Sequence, residues 1–442
     1  MTLNTQLEKA QKVAEVNETD IYFIKTEKFK TETISIFFQD KLDKDSVSYN
    51  ALFPNVLKRG CSKYPTLREI SSKLDDMYGA SLYCDVGKKG ESHIVHFFID
   101  YVSNKYLGGD NNNFKDACTI LFDVICDPVT ENGAFNSEYV RQEKVNLASI
   151  IESRINDKMA YAQERCYEEM CKDEPFGIYE YGKKEDVERI QPLELYQHYK
   201  KVLIGTKKYI FITGETYEDK IDLIKNIMTE KFPESKVVTI FTEYKCKSFN
   251  GTVANIDEFM DVNQGKLCVG FRSGIKANDK DYYALLMYNS ILGGGGFVNS
   301  KLFINVREKE SLAYYIFSNL EKYKGIMMIS GGIDASNKQK TLEIIAKQME
   351  AMKKGNISDF EMEYTKATII YSLKSISDGQ LRLTDYYFSQ IVGGTNDDFD
   401  TFTEKLKKVT KEDVIKVAAK MKLDTIYFLG PKTDAKEEAK GE

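Results

Sequence analysis

The sequence predicts an α+β fold of two homologous α/β sandwich domains, each with a mostly antiparallel sheet and helices packed on one face. Alternating apolar residues predict strands, and apolar residues three to four positions apart predict helices between them. The chain also repeats the order of these elements. The spans from Glu32 to Asp100 and from Lys266 to Asp334 each begin and end with a predicted strand and cover about 68 residues. A length of 442 residues, of which 42% are hydrophobic, is enough for two cores.

The first half begins with two β-rich segments followed by two helices. IYFIKTEKF and ETISIFF alternate polar and apolar residues, which predicts a hairpin with one buried face. A helix is expected at Ser46–Arg59. In TLREISSKLDDMYG the apolar residues have helical spacing, Thr66 and Glu69 form a capping box, and Gly79 ends the helix. ASLYCDV and HIVHFFIDYV predict a second hairpin.

The remainder of the first half is mainly helical. Ser137–Glu174 is expected to form one or two helices, which Pro175 and Gly177 stop. A helix at Pro192–Val202 and the strand KKYIFITG follow. These elements predict a first domain at residues 1–230, a linker at 231–250, a second domain at 251–430 and a disordered tail at 431–442.

Composition excludes several classes of function. A net charge of −6 provides no general basic surface for a phosphate backbone, so nucleic acid is not expected as a partner. The apolar stretches fall short of the roughly 18–20 residues that cross a membrane, and the N-terminus lacks a signal-peptide core. We therefore expect a soluble cytoplasmic protein. The eight cysteines include no C-x-x-C pair, which favours free thiols in a reducing compartment.

The segment LGGGGFVNSKLFINVREKESLAYY, residues 292–315, holds the strongest functional motif. Arg307 and Tyr314 lie seven residues apart behind a run of four glycines. An arginine can bind a carboxylate or a backbone carbonyl, and a phenol can donate to a developing oxyanion. On a strand, Tyr315 points away from Tyr314, so only one of the two can face such a site. Tyr314 is the candidate.

This segment resembles the C-terminal half of the pitrilysin/insulinase-type metallopeptidases, the inverzincins, which include the mitochondrial processing peptidase. The resemblance is carried by the glycine run, Asn-Ser, Lys-Leu-Phe, Val-Arg-Glu and Leu-Ala-Tyr in that order, and it covers nearly the whole chain. It implies the LuxS/pitrilysin-like form of the fold predicted above and catalytic roles for Arg307 and Tyr314. The loop residues that it implies to contact substrate are Gly294, Gly295, Gly296 and Asn299.

The same resemblance indicates that the zinc motif of the family is missing. Inverzincins bind zinc through H-x-x-E-H on an N-terminal helix. Here the motif positions are Ala51, Pro54 and Asn55, and the third ligand, a Glu in the family, falls near Ser149 or Ile150. The resemblance therefore implies a non-catalytic subunit of a heterodimeric peptidase, without zinc of its own. Its Arg/Tyr pair would serve a homologous partner that bears H-x-x-E-H and zinc, with a peptide or unfolded polypeptide as substrate.

Simpler interpretations of these motifs stand beside the functional ones. The glycines can end the preceding helix, and no Gly-Lys-Ser/Thr follows them to bind phosphate. Arg307 can be a surface ion-pair partner of its acidic neighbours. His93 and His96 form H-x-x-H, but on a strand their imidazoles project to opposite faces and cannot readily share one metal ion.

The sequence leaves two other functions open. The chain could be an inactive scaffold or a peptide-binding protein, although a scaffold has no need for the Arg/Tyr pair. It could also be a self-sufficient enzyme with an unrecognised metal site, which the zinc content of the pure protein would decide.

Overall fold

A computed structural model describes residues 8–108, 112–216, 218–234, 236, 247–249, 251–294 and 298–432. In chain order the strands are β1 (Ala10–Val16), β2 (Thr19–Lys25), β3 (Thr31–Lys41), β4 (Ser81–Lys89), β5 (Ser92–Val102), β6 (Thr130–Glu131), β7 (Ala134–Phe135), β8 (Lys207–Gly214), β9 (Ala254–Met260), β10 (Gly265–Arg272), β11 (Ala313–Glu321), β12 (Ile326–Ile333) and β13 (Lys422–Pro431). The α-helices are α1 (Val47–Leu57), α2 (Leu67–Asp76), α3 (Asn113–Cys126), α4 (Ser137–Ser153), α5 (Lys158–Met170), α6 (Lys184–Arg189), α7 (Pro192–Gly205), α8 (Glu218–Lys231), α9 (Tyr282–Leu292), α10 (Lys338–Lys353), α11 (Asp359–Ser375), α12 (Gln380–Val392), α13 (Phe399–Lys407) and α14 (Lys411–Lys420).

The chain divides into two compact units, and each unit draws on both halves of the sequence. The first comprises Met1–Ser153, Ile178–Thr242 and Ser375–Val392. The second comprises Arg154–Gly177, Glu243–Lys374 and Gly393–Glu442. Helix α5 thus belongs to the second unit and helix α12 to the first. Much of the predicted linker, 231–250, and of the predicted tail, 431–442, lies outside the described residues, so the limits drawn from the sequence stay predictions.

The first unit is built on a mixed sheet with the strand order β1-β2-β8-β3-β5-β4. Strands β4 and β5 pair antiparallel, which confirms the second predicted hairpin. The first predicted hairpin is wrong. Strand β8 lies between β2 and β3, parallel to β2 and antiparallel to β3. Local alternation identified both strands but could not identify a partner that is more than 160 residues away in sequence.

Helices cover both faces of this sheet. Phe38 points into a core shared with helices α1, α3 and α7. Its neighbour Phe37 points to the opposite face, where its ring stacks on Phe388 of α12 with 4.0 Å between ring centroids. Because adjacent strand residues face opposite sides, the two phenylalanines mark two separate packing surfaces. Helix α12 covers the second surface, which the prediction of helices on one face did not include.

The second unit repeats this plan. Its sheet has the order β11-β12-β10-β13-β9, in which β13 and β9 are parallel and the other pairs are antiparallel. Helix α5 packs on it, with Ala162 and Cys166 buried against Cys268 and Tyr427. A further correspondence lies in the helices. In the first half, α4 has 17 residues, the turn after it has three and α5 has 13. In the second half, α11, the turn after it and α12 have the same three lengths. The predicted duplication is confirmed.

Local signals in the sequence also predict individual helices well. Helix α1 spans Val47–Leu57, within the predicted segment. At the start of α2 the Thr66 hydroxyl accepts from the backbone N–H of Glu69 at 3.3 Å, and the Glu69 carboxylate accepts from the N–H of Thr66 at 2.8 Å. This capping box satisfies two backbone donors that the first turn leaves free. Within the described residues, no helix combines the length and apolarity needed to cross a bilayer.

Candidate substrate-binding site

Arg307 lies in a short helical segment with an irregular hydrogen-bond pattern. The segment Phe303–Glu308 is a π-helix, in which the N–H of Lys309 bonds to the carbonyl of Ile304 at 3.0 Å. Leu302 and Val306 are fully buried and anchor the segment. Such π-helical turns are rare and occur often at functional sites. This one turns Arg307 toward solvent.

The Arg307 guanidinium has few contacts within the described part of the chain. Its side chain is 45% exposed, and Nε lies 4.0 Å from Oε1 of Glu308, at the limit of an ion pair. The guanidinium carbon lies 4.7 Å from the centroid of the Phe303 ring. The ring orients the fork by a cation–π contact and leaves its N–H groups available to a ligand. The simple ion-pair interpretation of Arg307 is therefore weak.

A left-handed residue joins Arg307 to the next strand. Ser311 has φ of +54°, and its N–H bonds back to the carbonyl of Arg307 at 3.0 Å. The N–H of Leu312 bonds to the carbonyl of Val306, also at 3.0 Å. These bonds fix the direction in which the chain leaves the π-helix and enters β11.

Tyr314 is the extra residue of a β-bulge. In the pairing of β11 with β12, Ala313 lies opposite Ile333 and Tyr315 lies opposite Gly332, so Tyr314 has no partner in the ladder. Strand β11 is an edge strand of its sheet, and the Tyr314 side chain is 68% exposed. Bulges re-aim side chains and occur often next to active sites. Alternation along the strand could not have predicted this one.

Tyr315 is placed differently from Tyr314. Its ring lies against Gly332, where an added Cβ would come within 2.5 Å of its Cε1 atom, and its hydroxyl is buried with no hydrogen-bond partner among the described residues. Burial raises the pKa of Tyr315. Tyr315 thus packs against its own sheet, and Tyr314 is the tyrosine available to a ligand.

The start of the glycine run has a packing role. The Gly294 N–H bonds to the carbonyl of Asn289 at 2.8 Å, and a Cβ on Gly294 would lie 2.6 Å from the Cα of Ser290. This supports the interpretation that the run ends α9 and packs closely on it. Gly295 and Gly296 lie outside the described residues, and Asn299 is exposed. Substrate contact by the loop stays a prediction.

The positions of the zinc motif hold residues that do not fit a metal ion. Ala51 and Pro54 are buried in α1 and carry no ligand atom, while the Asn55 side-chain oxygen accepts from the Cys84 thiol at 3.5 Å. Ser149 and Ile150 are exposed on α4. In the described residues no cluster of three or more His, Cys, Asp or Glu could hold a metal ion. The chemistry of these side chains does not fit the family's zinc site.

A buried polar network beside these positions was not found by sequence reasoning. The Asn50 oxygen accepts from Nε2 of His198 at 2.7 Å, and its amide nitrogen donates to Asp40 at 3.1 Å and to Nδ1 of His93 at 3.3 Å. His93 Nε2 donates in turn to the carbonyl of Glu180 at 2.9 Å. Burial lowers the pKa of His93 and of His198 to about 4 each. Both imidazoles are neutral structural groups.

His96 confirms the expectation that the two histidines of H-x-x-H face opposite ways. Its ring stacks on Phe37, with centroids 4.0 Å apart, on the face covered by α12. His93 lies on the other face, against α1. The two imidazoles do not meet.

The fold and the missing zinc ligands define an inactive relative of a metallopeptidase. The chain belongs to the peptidase M16 family, the pitrilysin/insulinase type predicted above. The family model for the peptidase M16 inactive domain matches residues 189–369. The chain is 35% identical over 410 residues to the probable inactive metalloprotease YmfF of Bacillus subtilis (strain 168). The aligned region covers 92% of this chain and 95% of that protein.

Solved structures share the fold of this chain. A conserved protein from Enterococcus faecalis V583 superposes with a TM-score of 0.87 at 27% identity, covering 96% of this chain and 99% of the other. A peptidase M16 inactive domain from Pseudomonas fluorescens superposes with a TM-score of 0.75 at 16% identity, covering 98% and 99%. The second likeness concerns the fold alone.

Proposed function

We propose that this chain is the non-catalytic subunit of a heterodimeric zinc-dependent peptidase. The observation that carries the proposal is that Arg307 and Tyr314, seven residues apart, are both exposed on irregular backbone, one in a π-helix and the other at a β-bulge. Regular packing requires neither feature. A homologous partner with H-x-x-E-H would bind the zinc ion and supply the general base.

The chemistry of the two side chains fits a polypeptide substrate. The Arg307 fork can donate to a backbone carbonyl or carboxylate of the substrate and hold it in place. The Tyr314 hydroxyl can donate to the oxyanion that forms when the scissile carbonyl is attacked. Neither residue can activate water. We therefore expect the chain alone to be inactive.

Hydrolysis of an unstructured peptide pool tests the proposal. This chain, its H-x-x-E-H partner and their mixture would be assayed separately, with Arg307→Ala and Tyr314→Phe in the mixture. We expect hydrolysis only in the mixture and a fall of about a hundred- to thousandfold with Tyr314→Phe, the usual effect of removing one oxyanion donor. Tyr315→Phe is the matched control, because its hydroxyl is buried, and should retain the rate.

Mixing without any gain in hydrolysis would contradict the proposal and favour the inactive scaffold. Bound zinc in the pure chain would instead favour the alternative that the chain is a self-sufficient enzyme.

We also propose a cytoplasmic location, supported by free cysteines at all seven described positions. Cell fractionation that recovers the protein outside the cytoplasm would overturn it.

A further inference from the structure

Helix α11 has apolar side chains on two opposite faces. One face is buried in the second unit and holds Met362, Thr365, Ile369 and Leu373. These residues recur at three- and four-residue intervals, as expected for a helix packed on a core. Burial of this face accounts for the stability of the helix. It does not account for the apolar residues on the other side.

The opposite face carries an exposed aromatic stripe, which we define as Phe360, Tyr364, Ala367 and Tyr371. The spacing of four, three and four residues aligns them along one side of the helix. Phe360 is 67% exposed and Tyr371 is 76% exposed. The rings of Phe360 and Tyr364 stack with centroids 5.7 Å apart. Aromatic residues aligned in this way on a solvent face indicate a binding surface.

The stripe begins beside the segment that carries Arg307. Lys301, two residues before the π-helix, is almost fully buried, and its ammonium lies 2.7 Å from the carboxylate of Glu361, next to Phe360. Burial alone would raise the pKa of Glu361, but the hydrogen bonds from Lys301 and Ser358 lower it. This ion pair holds the first turn of α11 to the residues that lead into the π-helix of Arg307, within the second unit.

The size of the stripe favours a peptide over a second folded protein. From residue 360 to residue 371 the helix rises about 16 Å, which matches about five residues of an extended chain. A stable dimer buries roughly 800 Å² on each partner, more than four side chains of one helix can supply. The stripe therefore suits a short extended segment.

The charges beside the stripe indicate the composition of that segment. Asp359 is exposed, and the Glu363 side chain is 76% exposed, although its carboxylate also lies 3.5 Å from the ammonium of Lys366. Carboxylates that flank aromatic faces favour lysine or arginine next to apolar side chains in a ligand, through charge attraction and cation–π contacts.

We propose that the stripe of Phe360, Tyr364, Ala367 and Tyr371 binds an extended polypeptide segment in which apolar and basic side chains alternate. This deepens the proposed function, on which it rests, by naming the substrate class and the side chains that select it. The bound segment would lead toward Arg307 along α11.

Fluorescence anisotropy with this chain alone tests the proposal without any partner or hydrolysis. The probe is a fluorescein-labelled peptide of about ten residues in which Leu or Phe alternates with Lys, compared with one in which Glu replaces Lys and one in which Ser replaces the apolar residues. We expect the first peptide to bind best. The double variant Phe360→Ser/Tyr371→Ser should weaken its binding about tenfold or more, as loss of aromatic anchors does.

Phe259→Ser is the matched control, because Phe259 is a 56% exposed aromatic of the same unit outside the stripe. The proposal is overturned if the double variant binds as the wild type does, if Phe259→Ser weakens binding equally, or if none of the peptides binds. A loss of dimer mass in the double variant by sedimentation would instead show that a second copy occupies the stripe. Stripe-dependent binding without hydrolysis on mixing would contradict the proposed function alone, and hydrolysis unaffected by the double variant would contradict this inference alone.

Discussion

Ser311 holds a left-handed backbone conformation, with φ of +54°, at the turn between Arg307 and Tyr314. A residue with a Cβ atom adopts this conformation at a cost of about 1–2 kcal/mol, which glycine avoids. The conformation is held by the bonds from the N–H groups of Ser311 and Leu312 to the carbonyls of Arg307 and Val306. The serine at this turn is therefore under local backbone strain.

Substitution of this serine tests the strain. Ser311→Gly should raise the free energy of unfolding by about 1 kcal/mol, because the turn bonds are kept and the Cβ clash is removed. Urea unfolding would measure the change. Ser311→Ala keeps the Cβ atom and should bring no such gain, so an equal effect of the two substitutions would contradict this explanation.

Individual side chains of the site were predictable, but their geometry was not. The chemistry of Arg307 and Tyr314 is evident from residue type and spacing. The bulge that exposes Tyr314 depends on its pairing with β12, which local alternation does not encode. The Asn50 network was missed for a similar reason, since its members come from β3, α1, β5 and α7.

Elements of the second unit are joined by a buried ion network. Arg272 on β10 is 5% exposed, and its guanidinium contacts Glu174 at 2.7 Å and Asp424 at 2.8 Å. Lys324 reaches the other oxygen of Glu174 at 2.8 Å. Burial opposes ionisation of Glu174, but the partners outweigh it and lower its pKa. The network ties the segment Arg154–Gly177 to the sheet of this unit.

Substitution of Arg272 should strongly destabilise the protein. Arg272→Met leaves the carboxylates of Glu174 and Asp424 without this partner, and we expect the free energy of unfolding to fall by about 3–5 kcal/mol. Thermal unfolding followed by circular dichroism would measure it. Arg141→Met is the control, because its pair with Glu138 is exposed at 66% and 51% and should contribute less than about 1 kcal/mol. Equal losses in the two variants would contradict the role of the network.

At the scale of the whole molecule, the duplicated plan was predictable because the order of strands and helices recurs along the sequence. The membership of α5 and α12 was not, since an amphipathic pattern shows that a helix packs but does not identify the sheet it packs on. Each of these helices follows a 17-residue helix in its own half and joins the other unit. This assignment of α5 to the second unit and of α12 to the first depends on contacts between residues far apart in sequence.

The free energy of unfolding of the whole chain should depend on pH through its three histidines. Burial lowers the pKa of His93 and His198 to about 4 and that of His96 to about 3. Below pH of about 6.5 the unfolded chain binds protons that the folded chain does not. The free energy of unfolding should therefore fall as the pH drops from about 6.5 to about 4, by up to about 4 kcal/mol per pH unit for the three together.

Urea unfolding at a series of pH values would test this dependence. His96→Phe, which keeps a ring between Phe37 and Phe98, should reduce the slope by about a third, because one of three titrating groups is lost. Asp40 acts in the opposite direction, since burial raises its pKa. Stability that is unchanged between pH 7 and pH 5 would contradict the neutral state of the histidines.

The stacking of Phe388 on Phe37 has a consequence for synthesis on the ribosome. The first two parts of the first unit end at Thr242, and its last part is missing until Ser375–Val392 has been made, about 150 residues later. At 5–20 residues per second this takes roughly 8 to 30 seconds, during which Phe37 and His96 have no helix over them. The nascent chain thus presents an open aromatic surface to chaperones and proteases that the finished protein does not present.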